Sequence, residues 1–133
     1  SYKGEYKMKP TTENKNEKAS LLFEYMKANR RYCTKEELAE VIGVKSERIV
    51  RDVINHLRNT GYCICAISSK TGYKLMSYTH HSREDEEDVR NMIYEIEKRK
   101  LELESMQKCC DRFFKKAEEY KRQKRKEQCT DGK

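Results

Sequence analysis

Residues 38–64, LAEVIGVKSERIVRDVINHLRNTGYCI, contain two helical patterns separated by a short turn. Apolar residues recur at three- and four-residue spacing on both sides of the link Gly43-Val44-Lys45, which is typical of amphipathic helices. Ser46 is a favourable N-cap for the second helix. This helix is expected to end near Asn59, because Gly61 follows at the position where a residue in the left-handed conformation commonly terminates a helix. This stretch therefore predicts two helices joined by a tight turn.

The flanking sequence supplies a helix on one side and a hairpin on the other. Upstream, residues 19–30 (ASLLFEYMKANR) have helical apolar spacing, and Thr34-Lys35-Glu36-Glu37 forms a capping box at the start of the next helix. Downstream, YCICAIS and YKLMSY are rich in strand-forming residues and flank the turn SKTG, so residues 62–77 are expected to form a β-hairpin. The order of three helices and a hairpin is that of a winged helix-turn-helix, a mainly α (α+β) fold.

Individual residues of this region also match a family pattern. They are Leu38-Ala39, Gly43-Val44, Ile49, Arg51-Asp52-Val53, Leu57, Gly61-Tyr62 and Gly72-Tyr73-Lys74-Leu75. On these residues the chain resembles the biotin-repressor and DeoR-type winged helix-turn-helix families over residues 19–78. It is also similar to small phage- and prophage-encoded proteins in which a charged helix follows the wing. The resemblance implies binding to double-stranded DNA.

The same resemblance implies which residues contact DNA, because the third helix of these families lies in the major groove. The matching positions on the helix and the wing are Lys45, Ser46, Glu47, Arg48, Arg51, Asn55, Ser69, Lys70, Thr71 and Lys74. Arg48 and Arg51 share a helix face and suit guanine edges or phosphates, whereas Asn55, one turn further, suits adenine. Ser46 at the helix start places backbone N–H groups near a phosphate.

Val50 and Ile54 depart from the family pattern, because relatives usually expose polar or basic groups there. Three interpretations are open: contact with thymine methyl groups, packing against the final helix, or a protein-binding patch. Packing against the final helix is preferred.

The last third of the chain predicts a long helix that forms an intermolecular coiled coil. Between Gly72 and Gly132 there is neither glycine nor proline, and a heptad repeat starts at Val89 in the segment 83–128. Arg99 is the one charged residue at a core position. The expected oligomerisation residues are Val89, Met92, Ile96, Leu103, Met106, Cys110, Phe113, Ala117 and Tyr120.

Charge indicates how two such helices pair. Residues 83–104 hold nine acidic and five basic groups, a net charge of −4, whereas residues 105–128 hold four acidic and nine basic groups, a net charge of +5. An antiparallel pair sets each acidic half against a basic half, so an antiparallel homodimer is favoured over a trimer or tetramer. The basic end is an alternative contact for DNA phosphates.

Composition fits this division of the chain. Of 133 residues 40% are charged and 35% hydrophobic, with a net charge of +7, which is too polar for one core that includes every residue. We expect a flexible polar arm at 1–18, the winged domain at 19–78, a linker at 79–82, the helix at 83–128 and a tail at 129–133. No apolar run is long enough for a membrane span, and the first 18 residues show no signal peptide.

Motifs for catalysis or cofactor binding are lacking. The sequence has no P-loop and no G-x-G-x-x-G, and no recognisable motif places a nucleophile beside a histidine, so neither an enzyme nor a cofactor is expected. Cys63 and Cys65, with His80 and His81, do not have the spacing of a structural zinc site. The six cysteines are therefore expected to be buried or half-buried free thiols in a reducing cytoplasm, and no metal is expected.

These patterns favour a homodimeric, sequence-specific DNA-binding protein in a bacterial host cytoplasm. Its expected role is transcriptional regulation or replication for a phage or mobile element. The alternative is a winged-helix module that binds a host protein instead of DNA. Such a module would act as an adaptor or as an inhibitor of a host nucleoprotein complex.

Overall fold

The computed structural model describes the backbone of residues 12–131 and the side chains of residues 14–129. Within this part of the chain there are four helices and one two-stranded antiparallel sheet. They are, in order, α1 (Thr12–Ala28), α2 (Lys35–Val41), α3 (Glu47–Asn59), β1 (Ile64–Cys65), β2 (Lys74–Leu75) and α4 (Arg83–Asp131). The expected order of helices and hairpin, with a long final helix, is confirmed.

Helix α1 begins earlier than expected. Residues 12–18 were assigned to the flexible arm, but the helix starts at Thr12, and only residues 1–11 of that arm lie outside the described part. Residues 12–18 have no apolar periodicity, so the apolar spacing that predicted a helix at residues 19–30 could not predict one here. Polar contacts support it instead: Lys18 Nζ donates to Asn14 Oδ1 at 2.6 Å, and the Nε2 atom of His56 lies 3.1 Å from Asn16 Oδ1.

The caps of α2 and α3 form as expected. Thr34 Oγ1 accepts from the Glu37 amide at 3.1 Å, and the Glu37 carboxylate accepts from the Thr34 amide at 3.0 Å, which completes the capping box. Ser46 Oγ accepts from the Arg48 amide at 3.2 Å. Between the two helices Gly43 has a φ of 70°, a left-handed conformation that glycine adopts without steric cost.

The hairpin is confirmed, with two residues in each strand. Ile64 pairs with Leu75, and Cys65 pairs with Lys74. The extended residue Cys33 adds an isolated antiparallel bridge to Tyr73, with N–H to O=C distances of 2.8 and 2.9 Å. The hairpin is thereby fixed to the segment between α1 and α2.

The core lies between α1, α2, α3 and the hairpin, and it includes Val50 and Ile54, which are both fully buried. Among the described residues, the buried cluster that contains them has no member from α4. All three interpretations of these two residues are therefore wrong. They are ordinary core residues, because α3 buries a stripe at positions 50, 53, 54 and 57 while Ile49 is only half-buried.

Helix α4 begins at Arg83 as expected and runs to Asp131, so residues 129–131 of the expected tail are helical. The chain divides into two compact units, and the boundary falls inside this helix between Met92 and Ile93. In the first unit Ser82 caps the helix: its hydroxyl accepts from the Asp85 amide at 3.0 Å, and its own amide donates to the Asp85 carboxylate at 3.2 Å. Within residues 12–131 no helix has the length and apolarity needed to cross a membrane.

Candidate nucleic-acid interface

Helix α3 exposes one face because its opposite face is buried in the core. Arg48, Arg51 and Asn55 all lie on the exposed face, and Lys45 is exposed in the turn before the helix. Three- and four-residue spacing places the three helical residues side by side. The structure therefore brings the expected contacts of the third helix together on one surface, which also carries the carboxylate of Asp52.

The three cations of this face have no protein partner. Within residues 12–131, the side chains of Lys45, Arg48 and Arg51 form no hydrogen bond and no ion pair. The neighbouring acidic group is already paired, since Glu47 Oε1 lies 3.2 Å from the ammonium of Lys35. The cations therefore present positive charge to solvent.

Asn55 has a preset orientation. Arg58 Nη1 donates to Asn55 Oδ1 at 3.4 Å, while the same guanidinium donates from Nε and Nη2 to the Ile64 carbonyl at 3.1 and 2.7 Å. Arg58 thus connects the exposed face of α3 to strand β1. Asn55 is exposed, and within the described residues its amide nitrogen donates no hydrogen bond.

The β-hairpin, which was expected to act as a wing, differs from the expectation. Lys70 and Lys74 were predicted to contact DNA, but both ammonium groups are paired with carboxylates at the start of α4. Lys70 Nζ lies 2.9 Å from Asp88 Oδ2 and also pairs with Glu84, and Lys74 Nζ lies 2.7 Å from Asp85 Oδ1. The hydrogen bonds that the Lys70 ammonium donates to Glu84 and Asp88 raise the pKa of Lys70. Of the four expected wing residues only Ser69 and Thr71 are exposed.

These pairs belong to a polar cluster around two buried aspartates, Asp85 and Asp88, that the sequence did not reveal. Asp88 is only 5% exposed and accepts from both the Tyr32 hydroxyl, at 2.8 Å, and Lys70. Burial opposes the ionisation of Asp88, but the hydrogen bonds from Lys70 and Tyr32 hold its pKa below the usual value. Burial and the contacts with Cys65 and Asp88 raise the pKa of Tyr32, which therefore stays a hydrogen-bond donor. The cluster fixes the first turns of α4 to the hairpin.

An ion pair between Arg31 and the half-buried Glu37 supports the segment before α2. Arg31 Nη2 lies 2.6 Å from Glu37 Oε2, and the Tyr25 hydroxyl donates to the same carboxylate. Hydrogen bonds from Arg31, Tyr25 and the Thr34 amide lower the pKa of Glu37 to about 2. Glu37 therefore serves as both helix cap and ion-pair partner.

The first unit also contains an apolar cleft of about 810 Å³ that sequence reasoning missed. It lies among the second half of α1, strand β2 and the residues that lead into α4, and no pattern local to one element indicates it. Its apolar walls come mainly from Phe23, Met26, Tyr62, Leu75, Met76 and Val89, and Arg30 is among the charged residues at the cleft. It is separate from the exposed face of α3.

In the second unit, most of the expected oligomerisation residues are exposed. Ile96, Leu103, Met106, Cys110, Phe113 and Tyr120 are exposed and Ala117 is half-buried, whereas Val89 and Met92, in the first unit, are half-buried. All six cysteines are free thiols. Cys33 and Cys65 are buried, but the other four are exposed, so the expectation of buried or half-buried thiols is wrong for those four. They lie in the loop before β1 and on α4.

Comparison with known proteins gives no match: no family model, no curated protein and no solved structure is significantly similar to this chain.

Proposed function

We propose that this protein binds double-stranded DNA sequence-specifically as a winged helix-turn-helix protein, with α3 in the major groove. The supporting observation is the unpaired positive charge of Arg48 and Arg51 on the exposed face of α3 and of Lys45 in the turn before it, beside the capped helix N-terminus. Phosphates attract such cations, and an α-helix fits the width of the major groove. Order of elements, turn geometry and charge all favour this function.

Each residue of the face has a distinct proposed role. Arg48 and Arg51 contact guanine O6 and N7 or flanking phosphates, and Lys45 neutralises a phosphate near the turn. Asn55 donates from its free amide nitrogen to an adenine N7, because Arg58 already occupies its carbonyl oxygen. The wing contributes only Ser69 and Thr71, since Lys70 and Lys74 are held by α4.

The protein acts as a homodimer in this proposal, through the exposed apolar residues of α4, so that two α3 helices bind two half-sites. Its biological role is that of a transcriptional regulator or replication accessory in a bacterial host. The alternative role of a protein-binding adaptor or inhibitor gains nothing from Val50 and Ile54, because both are buried in the folded domain.

Salt titration of DNA binding tests the proposal. Affinity for a mixed-sequence duplex, measured by fluorescence anisotropy, should fall steeply as KCl increases, because phosphate contacts release counterions. Arg48→Ala or Arg51→Ala should each weaken binding, and a variant that loses a phosphate contact should also lower the log–log salt slope by about 0.9 per contact.

Arg30→Ala is the matched control, because Arg30 is exposed in the same unit but lies at the apolar cleft. This variant should bind like the wild type. Salt-independent binding, or equal affinities for all four proteins, would favour the adaptor role instead.

A further inference from the structure

Helix α4 exposes large apolar residues outside the positions that a simple heptad seam uses. Counting Val89 as position a, Ile93 and Phe114 both fall at position e, and the two residues are 51% and 66% exposed. Position e flanks the seam and is usually polar. A pairing that covers both residues is more favourable than one that leaves them in water.

We propose that the second unit pairs with a second copy of itself in antiparallel orientation, with the two-fold axis between Glu104 and Ser105. This inference rests on the homodimer proposed above and specifies its geometry. Within the second unit, core positions a and d then face each other in three kinds of layer. Leu103 faces Met106 of the second copy, Ile96 faces Phe113, and Arg99 faces Cys110.

The residues that flank this seam are complementary in the same register. Across the two position-e edges Ile93 meets Phe114 of the second copy, so the two exposed apolar side chains cover each other. Across the two position-g edges Glu95 meets Lys116, which is an attractive pair. The exchange of acidic for basic residues near position 104 coincides with the proposed axis.

Competing arrangements lack this agreement. A parallel dimer sets Lys116 beside Lys121 of the second copy and leaves Ile93 next to Asp88. An antiparallel dimer shifted by one heptad toward the N-terminus sets Lys100 against Lys100 and Glu102 against Glu102. The opposite shift places Ile93 beside Lys121. Charge and apolar contact therefore both favour the axis at 104–105.

Distances between paired spin labels measure the register directly. Tyr94 and Lys115 are exposed and lie at position f, away from the seam, so Tyr94→Cys and Lys115→Cys are suitable labelling sites after the exposed cysteines are changed to serine. In the proposed register residue 94 of one copy is level with residue 115 of the other. Each label pair should therefore show the same axial separation, about 32 Å at 1.5 Å per residue.

Other arrangements give other distances. A one-heptad shift would give unequal axial separations of about 21 and 42 Å for the two labelling sites. A parallel dimer would give short distances at both sites. Either result overturns the proposed register. Sedimentation of the same labelled proteins tests the homodimer separately from its register, because a monomer would contradict the homodimer itself. DNA binding is measured independently of both.

A charge exchange provides a second test with unlabelled protein. Lys116→Glu should weaken the dimer about tenfold, because two attractive pairs with Glu95 become repulsive. Adding Glu95→Lys should restore the affinity. A parallel dimer would respond to Lys116→Glu in the opposite direction, since the new carboxylate would face Lys121, and tighter association would overturn the proposed pairing.

Discussion

Replacing Ile54 by alanine tests whether the wide apolar stripe of α3 belongs to the core or to a binding surface. Ile54 is fully buried, with 0% of its surface exposed. Removal of a fully buried isoleucine side chain loses its transfer free energy and leaves a cavity, so Ile54→Ala should lower the free energy of unfolding by about 3–4 kcal/mol. For a unit of this size, a loss of about 3 kcal/mol corresponds to a fall in Tm of roughly 12–24 °C.

The buried thiols provide an assay that reports on the first unit alone. After the four exposed cysteines are changed to serine, only Cys33 and Cys65 remain, and both lie in or beside the core. Burial raises the pKa of both thiols, so they react slowly while the unit is folded. A brief pulse of thiol reagent across a urea series therefore measures the unfolding of this unit without interference from the second unit.

Arg48→Ala is the control for this measurement, because Arg48 lies on the same helix with an exposed and unpaired side chain. Its free energy of unfolding should stay within about 0.5 kcal/mol of the wild type. The reasoning is refuted if Ile54→Ala also stays within that limit, since Ile54 would then not be a core residue.

Three further predictions concern contacts that hold the first unit together. Gly72→Ala should destabilise this unit far more than Gly61→Ala. A Cβ at Gly72 would lie 2.2 Å from the Cys33 carbonyl oxygen, whereas a Cβ at Gly61 would meet open space. Urea unfolding of the two variants checks this prediction. Asp88→Ala should lower the free energy of unfolding by about 2 kcal/mol in the same assay, because the hydroxyl of Tyr32 and the ammonium of Lys70 lose their shared acceptor. A change below about 0.5 kcal/mol would contradict the stabilising role of the cluster. Because the pKa of Glu37 is lowered from 4.5 to about 2, its contribution to stability is present above pH 4.5 and is lost as the pH falls toward 2. Glu37→Gln should therefore flatten the acid limb of the stability curve measured by near-UV circular dichroism, and an unchanged limb would contradict this.

Features that depend on neighbouring residues could be predicted from the sequence. The caps at Thr34 and Ser46 and the turn at Gly43 formed as expected, because each is decided by residues within a few positions. The hairpin strands formed where two strand-forming runs flank a turn. Local chemistry was sufficient for these elements.

Features that depend on tertiary packing could not be predicted in this way. Val50 and Ile54 have no local signal that separates a core residue from a surface patch, and their burial depends on a cluster that includes residues of α1. Lys70 and Lys74 matched the wing of the family, but their partners Asp85 and Asp88 lie on another element. The exposure of Arg48 and Arg51 follows from helical spacing, because the apolar stripe lies on the opposite face of α3, but their lack of partners is visible only in the structure.

Selection of binding sites from a pool of random-sequence duplexes tests the central claim most directly. If α3 enters the major groove as proposed, the wild-type protein should enrich a defined sequence, because Arg48, Arg51 and Asn55 are exposed and carry directional hydrogen-bond donors. Arg48→Ala or Arg51→Ala should relax the preference at particular base pairs, at a cost of about 1–3 kcal/mol for each lost base contact. A wild-type pool that remains as random as the input, or an unchanged preference in both variants, would contradict the claim that α3 binds specific DNA.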